Sequence, residues 1–468
     1  MRRQSGDGRT AARKDSCGSD QFTGIWRIEQ LPCFSQPNGG ESMKNASEKI
    51  VITGSGIVCG AGANPDDIWS KLAAGETAIG PYSQWDGENW PVKIASEVQE
   101  NNRTLVPDRK LHKTISRTDM FGIYAAEKAI ENSGVLAHRD ELPEDSQGGF
   151  NDRTGLFVGS GGGNYSSNYD YLPLITEAKG ELPAFGAELS NVVTPMWLLK
   201  NLPNNVLCHV GIRGQLKGTN ACITNQCSSG IMAVAESACA IVNGEADRIV
   251  AVGHDAPFEP EMVLYYHKLG LMSSDTPRPF DANRSGTVFG EGAASMVLEK
   301  ESDANERGAN VLGEFLGFGC CSEATGILDL DPEGDGVFRA IEQCLEDAGL
   351  QTSDVGMICA HGNGTDASDL SESIGIRQAF GDDIPPVTGF KWAYGHLIGA
   401  SGIADIVMSL EALKQKVVPA IPTCEEIDPR VGEFPVATTS TNPRSNVALV
   451  ICRGFGGMNV VVAIRANS

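Results

Sequence analysis

The sequence predicts an α/β protein, because short apolar segments bounded by glycine alternate with longer segments of helical periodicity. Apolar residues at helical spacing predict helices over Asp119–Ser133 and Ile403–Gln415, and a helix rich in small residues is expected from Cys227 to about Val242. The apolar runs are short enough to be buried strands. In chain order they are Ile50–Gly54, Thr154–Gly159, Arg248–Gly253, Ala293–Leu298, Val355–His361, Pro386–Phe390 and Val447–Cys452.

A pattern that occurs twice indicates two related halves. One strand leads to Cys227 and another to His396, and in both cases a helix of small residues follows the reactive type of residue. We therefore expect an N-terminal half over residues 49–305 and a C-terminal half over residues 306–468, which meet at one site.

The first 48 residues are expected to be a disordered N-terminal extension. They are polar and glycine-rich, and they lack the apolar segment of a secretory signal. Met43 is a candidate for the native start, because the first expected strand follows shortly after it.

Composition excludes several classes of function. The net charge of −23 argues against nucleic-acid binding, which requires a basic surface. Thirteen cysteines without a Cys-x-x-Cys pair indicate a reducing compartment, the cytoplasm, and argue against disulfides and structural zinc. No apolar stretch approaches the length of a membrane span. The segment from Ser160 to Gly163 lacks the lysine of a phosphate-binding loop, so nucleotide binding is not expected.

One cysteine and two histidines form a candidate set for acyl-thioester chemistry. Cys227 is expected at a helix N-terminus, where the helix dipole favours the thiolate. His361 and His396 each adjoin glycine, which lets the backbone approach a ligand closely. A thiol nucleophile with two imidazoles suits acyl transfer.

Five motifs occur in one order along the chain. Together they closely resemble the β-ketoacyl-acyl-carrier-protein synthases, the elongating condensing enzymes of the thiolase superfamily, from about Ile50 to Ile464. The motifs are Cys227 in Asn225-Gln226-Cys227-Ser228-Ser229-Gly230, Arg278-Pro279-Phe280-Asp281, His361-Gly362-Asn363-Gly364-Thr365, Lys391 to His396, and Gly454-Phe455-Gly456-Gly457.

The resemblance implies a duplicated, five-layered αβαβα thiolase-like fold and a decarboxylative Claisen condensation in fatty-acid, polyene or polyketide synthesis. An acyl group would move from an acyl carrier protein to Cys227, and the carbanion of a malonyl thioester would attack it. No metal or organic cofactor is implied. The resemblance also implies a dimer, either with a second copy or with a homologous subunit.

The resemblance also assigns roles to individual residues. His361 and His396 would hydrogen-bond the malonyl thioester carbonyl, and Lys391 and Glu372 would organise the histidines. The backbone N–H groups of Cys227 and Phe455 would form an oxyanion hole, with Phe455 also a gate. The gating loop would consist of Gly454, Gly456 and Gly457.

Several alternatives stay open at this point. A non-catalytic partner subunit, the chain-length factor, carries glutamine in place of the nucleophile, and Gln226 lies next to Cys227 here. Cys222 is a second candidate nucleophile, although its spacing to Gly244-Glu245-Ala246-Asp247 fits less well. Asp369 either caps a helix or belongs to the site. A thiolase would need a second catalytic cysteine, for which Cys452 is the nearest by position.

Two further features have two readings each. Arg453 replaces a phenylalanine of the family and either meets a carboxylated chain or pairs with a carboxylate of the protein. Four basic residues either receive an acidic carrier protein or form a solvated surface; they are Arg109, Lys110, Lys113 and Arg117.

Overall fold

The computed structural model describes Met43 and residues 48–84, 89–162, 171–193 and 195–467. These residues belong to one compact unit. The expected disordered extension, residues 1–48, lies outside the described residues except for Met43 and Glu48, and so does Gly163. None of the helices in the described ranges is long and apolar enough to cross a membrane.

Ten strands form one large sheet, and two short strands pair separately. In the described part of the chain the strands are β1 (Ile50–Cys59), β2 (Gly80–Pro81), β3 (Ile94–Ala95), β4 (Thr154–Ser160), β5 (Asn220–Ile223), β6 (Arg248–Asp255), β7 (Gly292–Lys300), β8 (Gly313–Ser322), β9 (Met357–Cys359), β10 (Val387–Thr388), β11 (Val447–Gly454) and β12 (Met458–Ala466).

The order of the large sheet, β10-β9-β11-β12-β8-β1-β7-β6-β4-β5, contains one arrangement twice. In the N-terminal half, β1 is antiparallel to β7, and β7 is antiparallel to β6. In the C-terminal half, β8 is antiparallel to β12, and β12 is antiparallel to β11. The outer strands, β4 and β5 or β9 and β10, continue in parallel. The halves join where Ile50 pairs with Phe315 and Ile52 with Gly313. The predicted duplication is therefore present.

The helices alternate with these strands. Those in the described residues are α1 (Pro65–Ala74), α2 (Asn102–Leu105), α3 (Arg117–Ser133), α4 (Val135–Glu141), α5 (Glu144–Asp152), α6 (Leu172–Glu177), α7 (Leu182–Val192), α8 (Trp197–Lys200), α9 (Asn205–Gly214), α10 (Ser229–Val242), α11 (Pro260–Lys268), α12 (Glu301–Glu306), α13 (Asp335–Ala348), α14 (Asp366–Phe380), α15 (Lys391–Tyr394) and α16 (Ser401–Gln415). Short 3-10 turns occur at Leu111–Lys113, Gln226–Ser228, Thr352–Asp354, Ile398–Ala400 and Pro429–Val431.

Five layers follow from the way these helices pack. Helices α10 and α16 contact each other and strands of both halves, and nearly all their residues are buried. Helix α3 covers β1, β6 and β7, while α13 covers β8 and β12 and packs on α14. The two halves of the large sheet, which join at β1 and β8, therefore form the two β layers on either side of α10 and α16, and the order α3, N-terminal half-sheet, α10 with α16, C-terminal half-sheet, α13 is the predicted αβαβα arrangement. The expected division at residues 305/306 falls at the end of α12, between β7 and β8.

The predicted strands and helices are all present with shifted ends, and β5 is the strand expected before Cys227, but β2, β3, β8 and β12 were not predicted. In β8, glycine residues that are typical of turns have a packing role. A Cβ atom on Gly319 would lie 2.0 Å from Ala340 O, and one on Gly317 would lie 2.6 Å from Ala348 N. Glycine therefore allows α13 to lie directly against this strand.

Candidate active site

Cys227 lies in a strained turn between β5 and α10. The preceding residue, Gln226, has a φ of 49°, which is unfavourable for a residue with a Cβ. The turn places the cysteine side chain at the buried junction of the two halves, where the residue is only 4% exposed. The position of Cys227 therefore requires backbone strain at Gln226.

The same turn occurs in the C-terminal half, but three residues away from where the sequence pattern had placed it. Ile398, with a φ of 44°, starts the 3-10 turn before α16, as Gln226 starts the one before α10. Cys227 therefore corresponds to Gly399 and not to His396, and the earlier matching of the two reactive residues is wrong. The two turns touch, since a Cβ on Gly230 would lie 2.3 Å from Gly399 O.

The two histidines lie side by side with their ring centroids 5.2 Å apart at an angle of 82°. His361 Nδ1 lies 3.3 Å from the backbone N–H of Arg453 and accepts its hydrogen bond. His396 Nδ1 accepts from the N–H of Ile398 at 3.3 Å, and Ser401 Oγ lies 2.8 Å away. Because both Nδ1 atoms act as acceptors, the proton of each ring is on Nε2.

Both imidazoles are uncharged near neutral pH. Burial lowers the pKa of His361 and that of His396 well below the ordinary value, and the charge of Lys391 lowers both further. The site therefore presents two neutral N–H donors.

Lys391 is the charged residue behind the histidines. Its Nζ lies 2.8 Å from Asp405 Oδ2, and Tyr394 donates from its hydroxyl to Asp405 Oδ1 at 2.7 Å. Lys391 and Asp405 are completely buried. Burial lowers the pKa of Lys391, but the carboxylate more than offsets this, so that the pKa lies above its ordinary value and the ammonium form persists.

Glu372 organises the backbone around His361 and does not contact the imidazole. Its two carboxylate oxygens accept from the N–H groups of His361 at 2.6 Å and Gly362 at 2.9 Å. Asp369 acts similarly, accepting from Phe280 N at 2.9 Å and Gly364 N at 3.2 Å, so it joins two loops. Both carboxylates thus have structural hydrogen bonds that fix the site.

The glycine-rich segment after β11 lies over the cysteine. A Cβ on Gly454 would be 3.7 Å from Cys227 Cβ, which is ordinary contact. Gly456 and Gly457 have φ values of 80° and 70°, which glycine adopts without strain. Gly456 N donates to Ile327 O at 2.8 Å, and Gly457 O accepts from Glu323 N at 2.9 Å.

Arg453 is paired within the protein. Its Nη2 lies 2.8 Å from Glu323 Oε1, Nε donates to Asn459 Oδ1 at 2.9 Å, and Nη1 donates to Ser368 O at 2.8 Å. The side chain of Arg453 is 2% exposed and that of Glu323 is fully buried. Arg453 therefore pairs with a carboxylate of the protein, which is the second of the two roles that the sequence left open.

Tyr266 is the closest aromatic neighbour of the nucleophile that the sequence did not identify. Its hydroxyl is near enough to the Cys227 thiol to oppose the rise in the thiol's pKa, and its ring centroid lies 5.0 Å from that of Phe455 and 4.7 Å from that of Phe289. Burial raises the pKa of Cys227 to about 12, and Asp255 adds to the increase, while Lys391 and Tyr266 oppose it. The thiolate expected from the helix terminus is therefore not the favoured form in this closed site.

A cavity of about 470 Å³ joins these groups. Its lining includes Cys227, His361, His396, Gly454, Phe455, Gly456 and Gly457 from the predicted set. Lys391 and Glu372 lie behind this wall, where Lys391 pairs with Asp405 and Glu372 accepts from the backbone N–H of His361.

Cys222 lies elsewhere, with its Sγ 3.4 Å from Pro203 O. Of the four basic residues, Arg117 is held by buried Glu291 at 2.8 Å, and Arg109, Lys110 and Lys113 are exposed.

Sequence reasoning missed three residues that support the reactive groups: Asp405, Ser401 and Tyr266. Asp405 could have been found, because it is a carboxylate inside the helix that was predicted from apolar spacing. Ser401 lies five residues after His396, in the same glycine-rich stretch. Tyr266 is far from every motif in sequence, and no signal pointed to it.

Comparison with known proteins gives consistent matches over the chain. Residues 47–304 match the family model "Beta-ketoacyl synthase, N-terminal domain", and residues 312–425 match "Beta-ketoacyl synthase, C-terminal domain". The chain is 30% identical over 425 residues to 3-oxoacyl-acyl-carrier-protein synthase 2 of Coxiella burnetii, which covers 88% of this chain and 97% of that protein.

Two further relatives cover similar lengths. Nodulation protein E of a Rhizobium species is 30% identical over 421 residues, 89% of this chain and 99% of that protein. The crystal structure of a β-ketoacyl synthase from Burkholderia phymatum superposes with a TM-score of 0.79 at 26% identity and covers 90% of this chain and all of that one.

Proposed function

Because this chain belongs to the β-ketoacyl synthase family, we propose that it is a β-ketoacyl-acyl-carrier-protein synthase that condenses an acyl group on Cys227 with a malonyl thioester. One observation carries the proposal: two neutral imidazoles present Nε2–H donors to the same cavity as a cysteine thiol. Donors of this kind stabilise an oxyanion without adding a permanent charge.

The first half-reaction is thioester exchange at Cys227. The sulfur attacks the carbonyl carbon of the acyl thioester, a new carbon–sulfur bond forms, and the bond to the carrier thiol breaks. The proton lost by Cys227 ends on the carrier thiol. The N–H groups of Cys227 and Phe455 are the oxyanion hole of this step, supported by the position of Gly454 against Cys227.

The second half-reaction forms the carbon–carbon bond. When the malonyl unit loses carbon dioxide, the electron pair of the broken bond passes to the thioester enolate. His361 and His396 donate hydrogen bonds to its oxygen. The enolate carbon then attacks the acyl-cysteine, and Cys227 leaves as the thiolate. Lys391 helps to keep both imidazoles neutral, and Glu372 holds the backbone at His361 and Gly362 in place.

The loop of Gly454, Gly456 and Gly457 gates the reaction with Phe455. The backbone of Gly456 and Gly457 bonds to Ile327 and Glu323 and to the side chains of Ser322 and Asn459, and a φ near 75° at both glycines permits these bonds to be exchanged without a steric penalty. Opening moves the Phe455 ring off Tyr266 and admits the acyl chain.

The alternative function is that of a non-catalytic partner subunit. Such a subunit carries glutamine in place of the cysteine, whereas here Gln226 is adjacent and Cys227 remains, and the alternative gives no reason for two buried, oriented histidines or for the buried Lys391–Asp405 pair. A buried ion pair is costly to retain when it serves no chemistry. The catalytic reading explains all of these residues.

The partner and setting follow from the reaction. The substrates are acyl and malonyl thioesters of an acyl carrier protein, and the Coxiella relative is named as a synthase of 3-oxoacyl-acyl-carrier-protein. We place the enzyme in the cytoplasm as a dimer, with itself or with a homologue; thirteen cysteines without a Cys-x-x-Cys pair in the sequence support a reducing compartment. The halves 49–305 and 306–468 are the two repeats of its duplicated fold.

The test is intact-protein mass spectrometry after incubation with acyl-carrier thioesters of different chain lengths. An acyl increment is expected on the wild type and on the Cys222→Ala control but not on Cys227→Ala. Release of carbon dioxide from malonyl carrier protein should follow. An increment retained by Cys227→Ala would refute the nucleophile, and no acylation with any chain would favour the partner-subunit function.

A further inference from the structure

Two nitrogen atoms meet in the cavity without an acceptor between them. Asn363 Nδ2 lies 3.3 Å from His361 Nε2, and both residues line the cavity that contains Cys227. Whether this contact is a hydrogen bond depends on where the imidazole proton is and on how the amide is turned.

The amide orientation is fixed by Thr365. Asn363 Oδ1 accepts from the backbone N–H of Thr365 at 2.9 Å and from its hydroxyl at 2.8 Å. Rotating the amide by 180° would put an NH₂ group against the backbone N–H of Thr365, which cannot accept a hydrogen bond. The nitrogen of Asn363 therefore faces His361.

The imidazole proton is fixed by Arg453. Its backbone N–H points at His361 Nδ1 from 3.3 Å away in a buried strand. A proton on Nδ1 would set two N–H groups against each other where no acceptor can enter. With the proton on Nε2, the opposed donors, His361 Nε2–H and Asn363 Nδ2–H, border the cavity, where a ligand oxygen can accept from both.

We propose that Asn363 is a catalytic residue, which donates a hydrogen bond from Nδ2 beside His361 Nε2 to the oxygen of the malonyl thioester as the enolate forms. The proposal rests on the proposed function and adds a donor to it. Asn363 transfers no proton: the pair of electrons from the broken bond to carbon dioxide resides on the enolate, and the amide only stabilises the charge on its oxygen.

The experiment compares two isosteric replacements, Asn363→Thr and Asn363→Val, which differ only in one hydroxyl donor. Two rates are measured on each full-length protein: acylation of Cys227 from acyl carrier protein, and carbon dioxide release when malonyl carrier protein is added to the acylated enzyme. Loss of one oxyanion donor costs about 100-fold or more. Asn363→Ser and Asn363→Ala form a second pair if either first variant fails to fold.

The expected result is that Asn363→Val lowers the rate constant of carbon dioxide release by about 100-fold, that Asn363→Thr retains at least about tenfold more of it than the valine variant, and that acylation changes less than about twofold in both. Equal rates of carbon dioxide release in the two variants would overturn the proposal. So would an effect limited to KM for malonyl carrier protein, which would place Asn363 against the carrier arm. A wild type that acylates but releases no carbon dioxide would refute the proposed function, and this inference with it.

Discussion

Lys391 Nζ lies 2.8 Å from Asp405 Oδ2, and neither side chain is exposed to solvent. The pair lies behind His361 and His396, and the charge of Lys391 contributes to the low pKa of both. Asp405 therefore acts on the reaction indirectly. It keeps a buried ammonium group charged, and that ammonium keeps the imidazoles neutral.

Replacing Asp405 by asparagine is expected to destabilise the protein by about 3–5 kcal/mol, because the buried ammonium of Lys391 loses its counter-charge. The matched control is Asp335→Asn, which removes the partner of Arg339 in an exposed ion pair and should cost less than about 1 kcal/mol. Denaturant unfolding measures both. Equal losses in the two variants would contradict the importance assigned to the buried pair.

The residues proposed to react could be predicted from the sequence, but several residues that bind and position them could not. Cys227, His361 and His396 stand in short glycine-bounded motifs, so their neighbours in sequence are also their neighbours in space. Lys391 and Asp405 are fourteen positions apart and meet only because α15 and α16 fold against each other. Tyr266 reaches Cys227 from a separate helix.

The fold shows the same limit. Strands with continuous apolar runs, such as β6 and β11, were predicted, whereas β8 was not, because Gly317 and Gly319 resemble a turn. The packing role of these two glycines follows only from the position of α13, whose backbone lies against them. The strand pairing that joins the halves, β1 with β8, is equally invisible to local pattern.

The unfolding free energy should depend on pH through His254. Burial lowers the pKa of this histidine to about 4. Between pH 6.5 and 4 the unfolded chain binds a proton at this position and the folded protein does not, so stability is lost as the pH falls; His254 accounts for about 3 kcal/mol of the loss, and His361 and His396, whose pKa values are also lowered, add to it. The variant His254→Gln is expected to show a smaller loss over this window.

The measurement is denaturant unfolding at a series of pH values, compared as slopes so that a constant destabilisation by the substitution cancels. His267→Gln, on the exposed side of α11, is the control and should retain the wild-type slope. A wild-type slope in His254→Gln would show that the buried imidazole does not control the acid sensitivity.

Removal of the Tyr266 hydroxyl is expected to make Cys227 less reactive. Tyr266→Phe preserves the ring contacts with Phe289 and Phe455 but loses the hydroxyl that opposes the raised pKa of the thiol. The rate of alkylation of Cys227 at pH 8 should fall about tenfold or more, since a hydrogen bond to a charged group contributes about 1.5 kcal/mol or more.

Peptide mass spectrometry follows the alkylation at Cys227, with Cys227→Ala as the blank. The control is Tyr265→Phe, whose half-exposed ring also contacts Phe455 but is not hydrogen-bonded to the thiol. Faster alkylation in Tyr266→Phe would instead mean that the hydroxyl blocks access to the sulfur.

Arg453 is expected to matter for stability and not for the choice of acyl chain. Its guanidinium bonds to Glu323, Asn459 and Ser368 O, and Glu323 is fully buried. Arg453→Met should therefore destabilise the protein by about 3–5 kcal/mol by leaving the carboxylate of Glu323 unpaired. The double variant Arg453→Met with Glu323→Gln should recover part of that loss, because it removes the unpaired charge.

Competition between an uncharged and an ω-carboxylated acyl carrier thioester, read from the mass of acylated Cys227, should give the wild-type ratio in both variants. A selective loss of the carboxylated chain would contradict this assignment and return Arg453 to the acyl-binding surface.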